Sequence, residues 1–343
     1  MEMFEILERL CGLPGPSGRE APVAEASGAM LMPYVDRVEF DRLGNLLCFR
    51  SSGRVRASTL LLDAHLDEIG FVVTGHDEGY LRFSTVGGVD SRVLPGTTVL
   101  LLCADPPVKG VVVCPVPHLL GKQDSGEAIP LSELLIDIGM PHDKATLTCP
   151  VGTRAVFGGG VFPLGPGQIS GHALDNRVGF AVLLRTMELL AGHTITVDLA
   201  VLGSVQEEVG MRGAKTAAFT VLPDSCIVVD VTHAHSPGTP PHKTFKPGGG
   251  PCIGMGPGCH RAISSALLET AQTGGIPHQV EVMEGNTGTN AWPVQVTGRG
   301  VATAVLSVPL RYMHTPVETV HTGDIENTAR LLSRYILSLE GEV

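Results

Sequence analysis

Charge is scarce in this chain. Only 17% of its 343 residues are Asp, Glu, Lys or Arg, the net charge is -11, and no cluster of Lys and Arg occurs. Such a surface disfavours nucleic-acid binding. Aromatics are scarcer, at 4% with one Trp and four Tyr, so an aromatic-lined cleft for sugars is poorly supplied. No apolar run approaches the ~20 residues of a membrane span. The opening Met1-Glu2-Met3-Phe4-Glu5 has neither a basic n-region nor an apolar h-region, so no signal peptide is expected. The eight cysteines, at 11, 48, 103, 114, 149, 226, 252 and 259, include no Cys-x-x-Cys pair. They read as buried thiols of a cytoplasmic protein, not as a disulfide frame or a zinc-thiolate site.

What is abundant is glycine and proline, 43 and 25 residues, beside a 43% hydrophobic share. Tight turns, short strands and a substantial core follow. The length fits one large domain or two. Residues 2–11 read as a helix, and Ser17-Gly18-Arg19-Glu20 as a capping box opening a helix to about Met32. Residues 38–40 and 46–49 read as a strand pair. Residues 74–165 show short strands with Gly/Pro punctuation and no helical period, as an inserted small β-barrel or sandwich would. The expected division is therefore 1–73 and 166–343 for an α/β domain with a mixed sheet flanked by helices, and 74–165 for the insert. Within the insert, His118 and His142 read as exposed loop residues. Residues 236–258 read as a mobile Gly/Pro-rich loop, 261–273 and 324–339 as helices.

Acids and histidines gather where apolar strands end. Leu60-Leu61-Leu62, a strand buried on both faces, leads to His65 and Asp67. Residues 199–202 lead to Glu207 and Glu208, and residues 226–229 to Asp230. The strand at 301–309 is followed by His314. Asp175 opens a helix, where a carboxylate ordinarily caps free N–H groups. An isolated Glu-Glu is ordinarily a solvated pair, and a lone Asp at a strand end a turn former. Several strand ends all carrying His, Asp or Glu fit a site better, because open α/β sheets bind ligands at the carboxyl ends of their strands. Adjacent Glu207 and Glu208 would face opposite sides of extended chain and take different jobs. His233 and His235 read as loop residues or supports. Carboxylates and imidazoles without thiolates suit Zn²⁺, Co²⁺ or Mn²⁺. Two metals need a shared carboxylate and terminal ligands on each side. Asp175 can bridge, His65 with Asp230 can hold one metal, and Glu208 with His314 the other. Glu207 is then left to take a proton.

Five ordered motifs carry a resemblance: Asp63-Ala64-His65-Leu66-Asp67-Glu68, Leu174-Asp175-Asn176-Arg177, Gln206-Glu207-Glu208-Val209-Gly210, Val229-Asp230-Val231-Thr232-His233 and Tyr312-Met313-His314-Thr315-Pro316-Val317-Glu318. Together they resemble the tetrahedral or glutamyl aminopeptidases, metallopeptidase family forty-two, nearly end to end. The resemblance implies a dinuclear catalytic domain interrupted by a β-barrel dimerisation domain. It implies His65 and Asp230 on one metal, Glu208 and His314 on the other, Asp175 between them, Glu207 as general base and Asp67 behind His65. It also implies a cis peptide after Asp175, short peptides as substrates, and homo-oligomers from dimers to hollow dodecamers. At Gly288-Thr289-Asn290-Ala291 the family pattern is Gly-Thr-Asp-Ala, so Asn290 removes a charge near the expected substrate contacts. Two other classes compete. A glycoside hydrolase would place its paired acids ~5–9.5 Å apart across a sugar, which adjacent glutamates do not fit well. A non-enzymatic metal-binding homologue should have lost at least one ligand.

Overall fold

The computed structural model describes residues 1–114 and 129–339. His118 lies outside the described residues. Helices α1 (Met3–Cys11) and α2 (Ala21–Leu31) precede strands β1 (Arg37–Phe40), β2 (Leu46–Arg50) and β3 (Thr59–His65). A second group follows: β4 (Gly70–Asp77), β5 (Tyr80–Val86), β6 (Thr98–Leu101), β7 (Val108–Val113), β8 (Leu135–Asp137), α3 (His142–Thr148) and β9 (Arg154–Phe157). The chain then returns through β10 (Phe162–Pro163), β11 (Gln168–Gly171), α4 (Leu174–Leu189), β12 (Asp198–Ser204), α5 (Arg212–Val221) and β13 (Ser225–His233). It ends with β14 (Cys252–Met255), α6 (Arg261–Thr273), β15 (Gln279–Val282), α7 (Ala291–Val294), β16 (Ala302–Arg311), β17 (Glu318–His321) and α8 (Thr322–Ser338).

The architecture is α/β, with an 11-stranded mixed sheet and a closed six-stranded barrel. The sheet runs β1-β2-β12-β3-β13-β16-β17-β11-β10, with β14 and β15 branching from β16. Its centre, β12-β3-β13-β16, is parallel. Leu60, Leu61 and Leu62 are at most 1% exposed because helices cover both faces, which explains an unbroken apolar run. Strands β4-β5-β8-β7-β6-β9 close antiparallel around Phe71, whose ring meets Phe83 and Phe157 edge-on at 5.4 and 5.1 Å. The Arg19 guanidinium donates to the Leu102 carbonyl and ties the barrel to the segment before α2.

Three local readings are corrected. Ser17 and Glu20 do not form a capping box: the Ser17 hydroxyl donates to Asp67 at 2.6 Å, and Glu20 accepts from Gln206 N at 3.1 Å. Both side chains are taken by the turn behind the site. Residues 236–258 are not all loop, since β14 pairs with β15 and β16. His142 starts α3 and is not in a loop.

Candidate metal centre

Four parallel strands lie side by side and discharge at one edge. His65 closes β3, Asp230 lies near the end of β13, Glu207 and Glu208 follow β12, and His314 sits in the turn after β16. Asp175 arrives from the opposite side at the start of α4, and the Asp175–Asn176 peptide is cis, as the resemblance implies. Helix α4 can sit this close because Gly179 has no side chain. A Cβ there would lie 2.3 Å from Asn176 Oδ1 and 2.8 Å from the Val229 carbonyl.

The two oxygens of Asp175 face different imidazoles. Oδ1 lies 3.1 Å from His65 Nε2 and Oδ2 lies 3.3 Å from His314 Nε2. Asp230 Oδ1 stands 3.8 Å from His65 Nε2, and Glu208 Oε1 stands 3.3 Å from His314 Nε2. Two ligand groups result, His65/Asp175/Asp230 and Asp175/Glu208/His314, each with donor atoms within 4.8 Å of one another. A tetrahedral ion with bonds of about 2.0–2.2 Å sets its ligand atoms roughly 3.3–3.6 Å apart. The observed spacings, 3.1 to 3.8 Å, bracket that edge length, so the residues present fit two divalent cations sharing Asp175.

Glu207 is not needed in either group, though with His65 and Glu208 it forms a third close set. Contrary to the extended-chain reading, Glu207 and Glu208 line the same cavity. The strand stops at Ser204 and Gln206 takes a left-handed φ of 57°, so alternation does not apply. Asp67 fixes the pair from behind, accepting from Glu207 N at 3.0 Å and Glu208 N at 3.1 Å. It also stands beside His65 Nδ1, with its carbonyl at 3.1 Å and its carboxylate at 3.5 Å.

Electrostatics reflect one crowded, buried acid cluster. Burial pushes the Glu207 carboxyl up to about 8, with the His65 imidazolium opposing and Glu208 and Asp175 adding. Burial also raises Glu208 and Asp230. For Asp175 burial acts upward but is outweighed by His314 and His65, which hold it well below the usual carboxylate range. For His314 burial acts downward, yet Asp175 and Glu208 lift it to about 11. Divalent cations bound among these groups would balance the charge of the buried carboxylates.

Some residues of the centre carry no sequence signal of their own. Buried Glu318 accepts from Asp175 N at 3.0 Å and His314 N at 2.8 Å, holding both backbones. Glu68 accepts from Gly15 N at 2.8 Å and meets His172 Nδ1 at 3.0 Å. Fully buried Arg177 donates to the Leu66 carbonyl at 2.7 Å and stands 3.5 Å from Glu68. His233 lines the cavity, whereas His235 lies beside Thr244 at 3.4 Å. Asn290 stands next to the cavity lining without being part of it. It is 1% exposed and donates to Ser204 at 2.9 Å, beneath the sheet edge, while its neighbours Thr287, Gly288 and Thr289 line the cavity.

Residues 44–331 match the family described as M42 glutamyl aminopeptidase. A lysyl aminopeptidase of Pyrococcus furiosus is 31% identical over 98% of this chain and 97% of its own. The solved aminopeptidase of Desulfurococcus kamchatkensis is 33% identical, covers 98% of this chain and 95% of that one, and superposes with a TM-score of 0.92. The TET1 peptidase of Pyrococcus horikoshii, described as assembling into a tetrahedron or a large octahedral shell, is 31% identical over 98% of this chain and 100% of that one, TM-score 0.87.

Proposed function

We propose, since the chain belongs to the M42 glutamyl aminopeptidase family and is an aminopeptidase, that it removes N-terminal residues from short peptides at a dinuclear centre. The observation that carries this reading is Asp175, one oxygen toward His65 and the other toward His314. On this reading His65 and Asp230 complete one cation site, and Glu208 and His314 the other. Zn²⁺ or Co²⁺ fits the donor set best, with Mn²⁺ next. Two such ions supply a water of lowered pKa and a Lewis-acid pull on the scissile carbonyl.

The chain's own groups do the rest. Glu207 accepts the proton of the attacking water and delivers it to the leaving amine as the C–N bond breaks. Its burial beside the cavity supports that role. Asp67 positions the Glu207 backbone, and Glu318 positions Asp175 and His314. We further propose a homo-oligomer, a dimer building a tetrahedral dodecamer, by analogy with the Pyrococcus horikoshii relative. Eight free thiols support a cytoplasmic setting. Among the described residues no helix is long and apolar enough to cross a membrane. The family description names a glutamyl enzyme and one relative a lysyl enzyme, so neither name chooses the first residue.

The test is hydrolysis of aminoacyl chromogenic substrates by EDTA-treated protein with Co²⁺, Zn²⁺ or Mn²⁺ added back. Release from free but not acetylated N-termini, restored by metal, is expected. Equal cleavage of acetylated substrates would contradict an exopeptidase, and full activity after metal removal would contradict the dinuclear centre.

A further inference from the structure

Two thiols of the barrel stand in contact. Cys103, just after β6, and Cys149, at the end of α3, have their sulfurs 3.2 Å apart, one thiol donating to the other. A bond between them needs an approach of about 1.2 Å from that contact, within the reach of small side-chain rotations. Among the described residues no other two cysteines make such a contact. The pair lies 46 positions apart in sequence, so local spacing gave no sign of it. Neither cysteine lines the cavity of the proposed cation sites.

The two sulfurs differ in access. Cys103 is partly exposed, whereas Cys149 is fully buried. Burial, with the Cys103 thiol adding, pushes the Cys149 thiol up to about 12. A soluble oxidant therefore meets Cys103 first, and Cys149 answers from inside. Cys11, Cys48, Cys226 and Cys252 are buried without a thiol partner among the described residues, which leaves them inert.

What a bond would hold is α3. This seven-residue helix contributes one buried side chain, Ala145, while its Leu147 is 84% exposed. A helix this short has little stability of its own. Its end is fastened by the Cys149 N–H donating to the Ala145 carbonyl at 2.9 Å and by His76, whose Nε2 meets the Cys149 carbonyl at 2.8 Å. On the other side, the Leu102 N–H donates to the Arg154 carbonyl at 2.8 Å and fixes the segment that carries Cys103 to β9.

We propose that Cys103 and Cys149 form a reversible disulfide when the chain meets a low-molecular-weight disulfide such as oxidised glutathione, and that the bond staples α3 to the barrel. The Cys103 thiolate attacks one sulfur of the reagent, whose S–S bond breaks and releases one glutathione thiolate. Cys149, its proton passed to water, then attacks Cys103 Sγ, and the second glutathione leaves. The protein's two thiols lose two electrons and two protons, which the reagent takes up as two thiols. In a reducing compartment such a bond is transient and serves redox sensing.

The experiment incubates the full chain with oxidised glutathione, then titrates thiols in denaturant and maps the digest by mass spectrometry. Two of the eight thiols should disappear into a Cys103–Cys149 cross-linked peptide and return with dithiothreitol. Cys149→Ser should instead retain glutathione on Cys103, and Cys103→Ser should keep every remaining thiol. Oxidation of the wild type should raise its melting temperature on the order of 5 °C and slow amide exchange over residues 142–149. Neither Ser variant should show these changes. Eight thiols retained, or a bond between other cysteines, would overturn the proposal. A Cys103–Cys149 bond that leaves amide exchange in α3 unchanged would overturn the staple. No readout depends on turnover, so failure here leaves the aminopeptidase reading standing.

Discussion

Glu318 joins two ligands through their backbones. Its oxygens accept from Asp175 N and His314 N, and burial raises its carboxyl well above the usual range. Replacing it by Gln keeps the shape but turns one acceptor into a donor facing an N–H. Supports of this kind cost about 10–100-fold in metal affinity when lost. Glu318→Gln should therefore fold normally and bind metal about 10–100-fold more weakly in chelator competition, and unaltered affinity would show that Glu318 does not position the ligands. At this scale much was legible. His65, Asp175, Glu208, Asp230 and His314 stood at strand ends or a helix start in contexts that local structure alone did not explain. Glu318 was visible only as the last letter of a motif. Glu68 and His172 are 104 positions apart, so no local pattern could pair them.

At the scale of elements, β3 places a carboxylate inside the sheet. Asp63 is 0% exposed and neither oxygen has a hydrogen-bond partner. Burial pushes it up to about 6 from 3.8, tempered by the nearby Ser204 and Asn290. Between about pH 4 and 6 the folded state therefore holds a proton that the unfolded state has released, so this group's contribution to stability falls as pH rises. The change is about 3 kcal/mol at most for a shift of this size. Asp63→Asn removes it. In EDTA-treated protein, the variant's unfolding free energy relative to wild type should climb across that window and level off above it. Parallel curves would mean that Asp63 titrates normally. The apolar run of β3 made the strand legible, since only strands covered on both faces read that way. The outlying strands β14 and β15 gave no such signal, because Gly/Pro-rich flanks hid four-residue segments. The Ser17 box failed because tertiary partners outbid local capping.

For the whole molecule, the sheet supplies the strand ends and the barrel stands beside them. Phe219 on α5, Leu222 just after it and Val296 after α7 are 67%, 64% and 73% exposed, and α5 and α7 touch each other. Large apolar side chains grouped on a surface mark contacts between chains. Light scattering should find a particle well above one 36.0 kDa chain, with twelve chains giving about 430 kDa. A stable monomer at micromolar concentration would contradict the assembly. Fold class and the β-barrel were readable from turn spacing and strand length, whereas the short helix α3 beside the barrel strands was not. Nothing in the linear pattern distinguished an assembly surface, because scattered apolar residues acquire meaning only once helices bring them together.

On the proposed reading, five ligands hold two cations and leave Glu207 free to carry the proton. The most direct test of that reading measures metal content and turnover on one preparation of Glu207→Gln. Two divalent ions per chain, an unchanged melting temperature and turnover reduced on the order of 10²–10⁴-fold are expected. Retained turnover would remove Glu207 from the reaction, and one ion or none per chain would contradict the dinuclear centre.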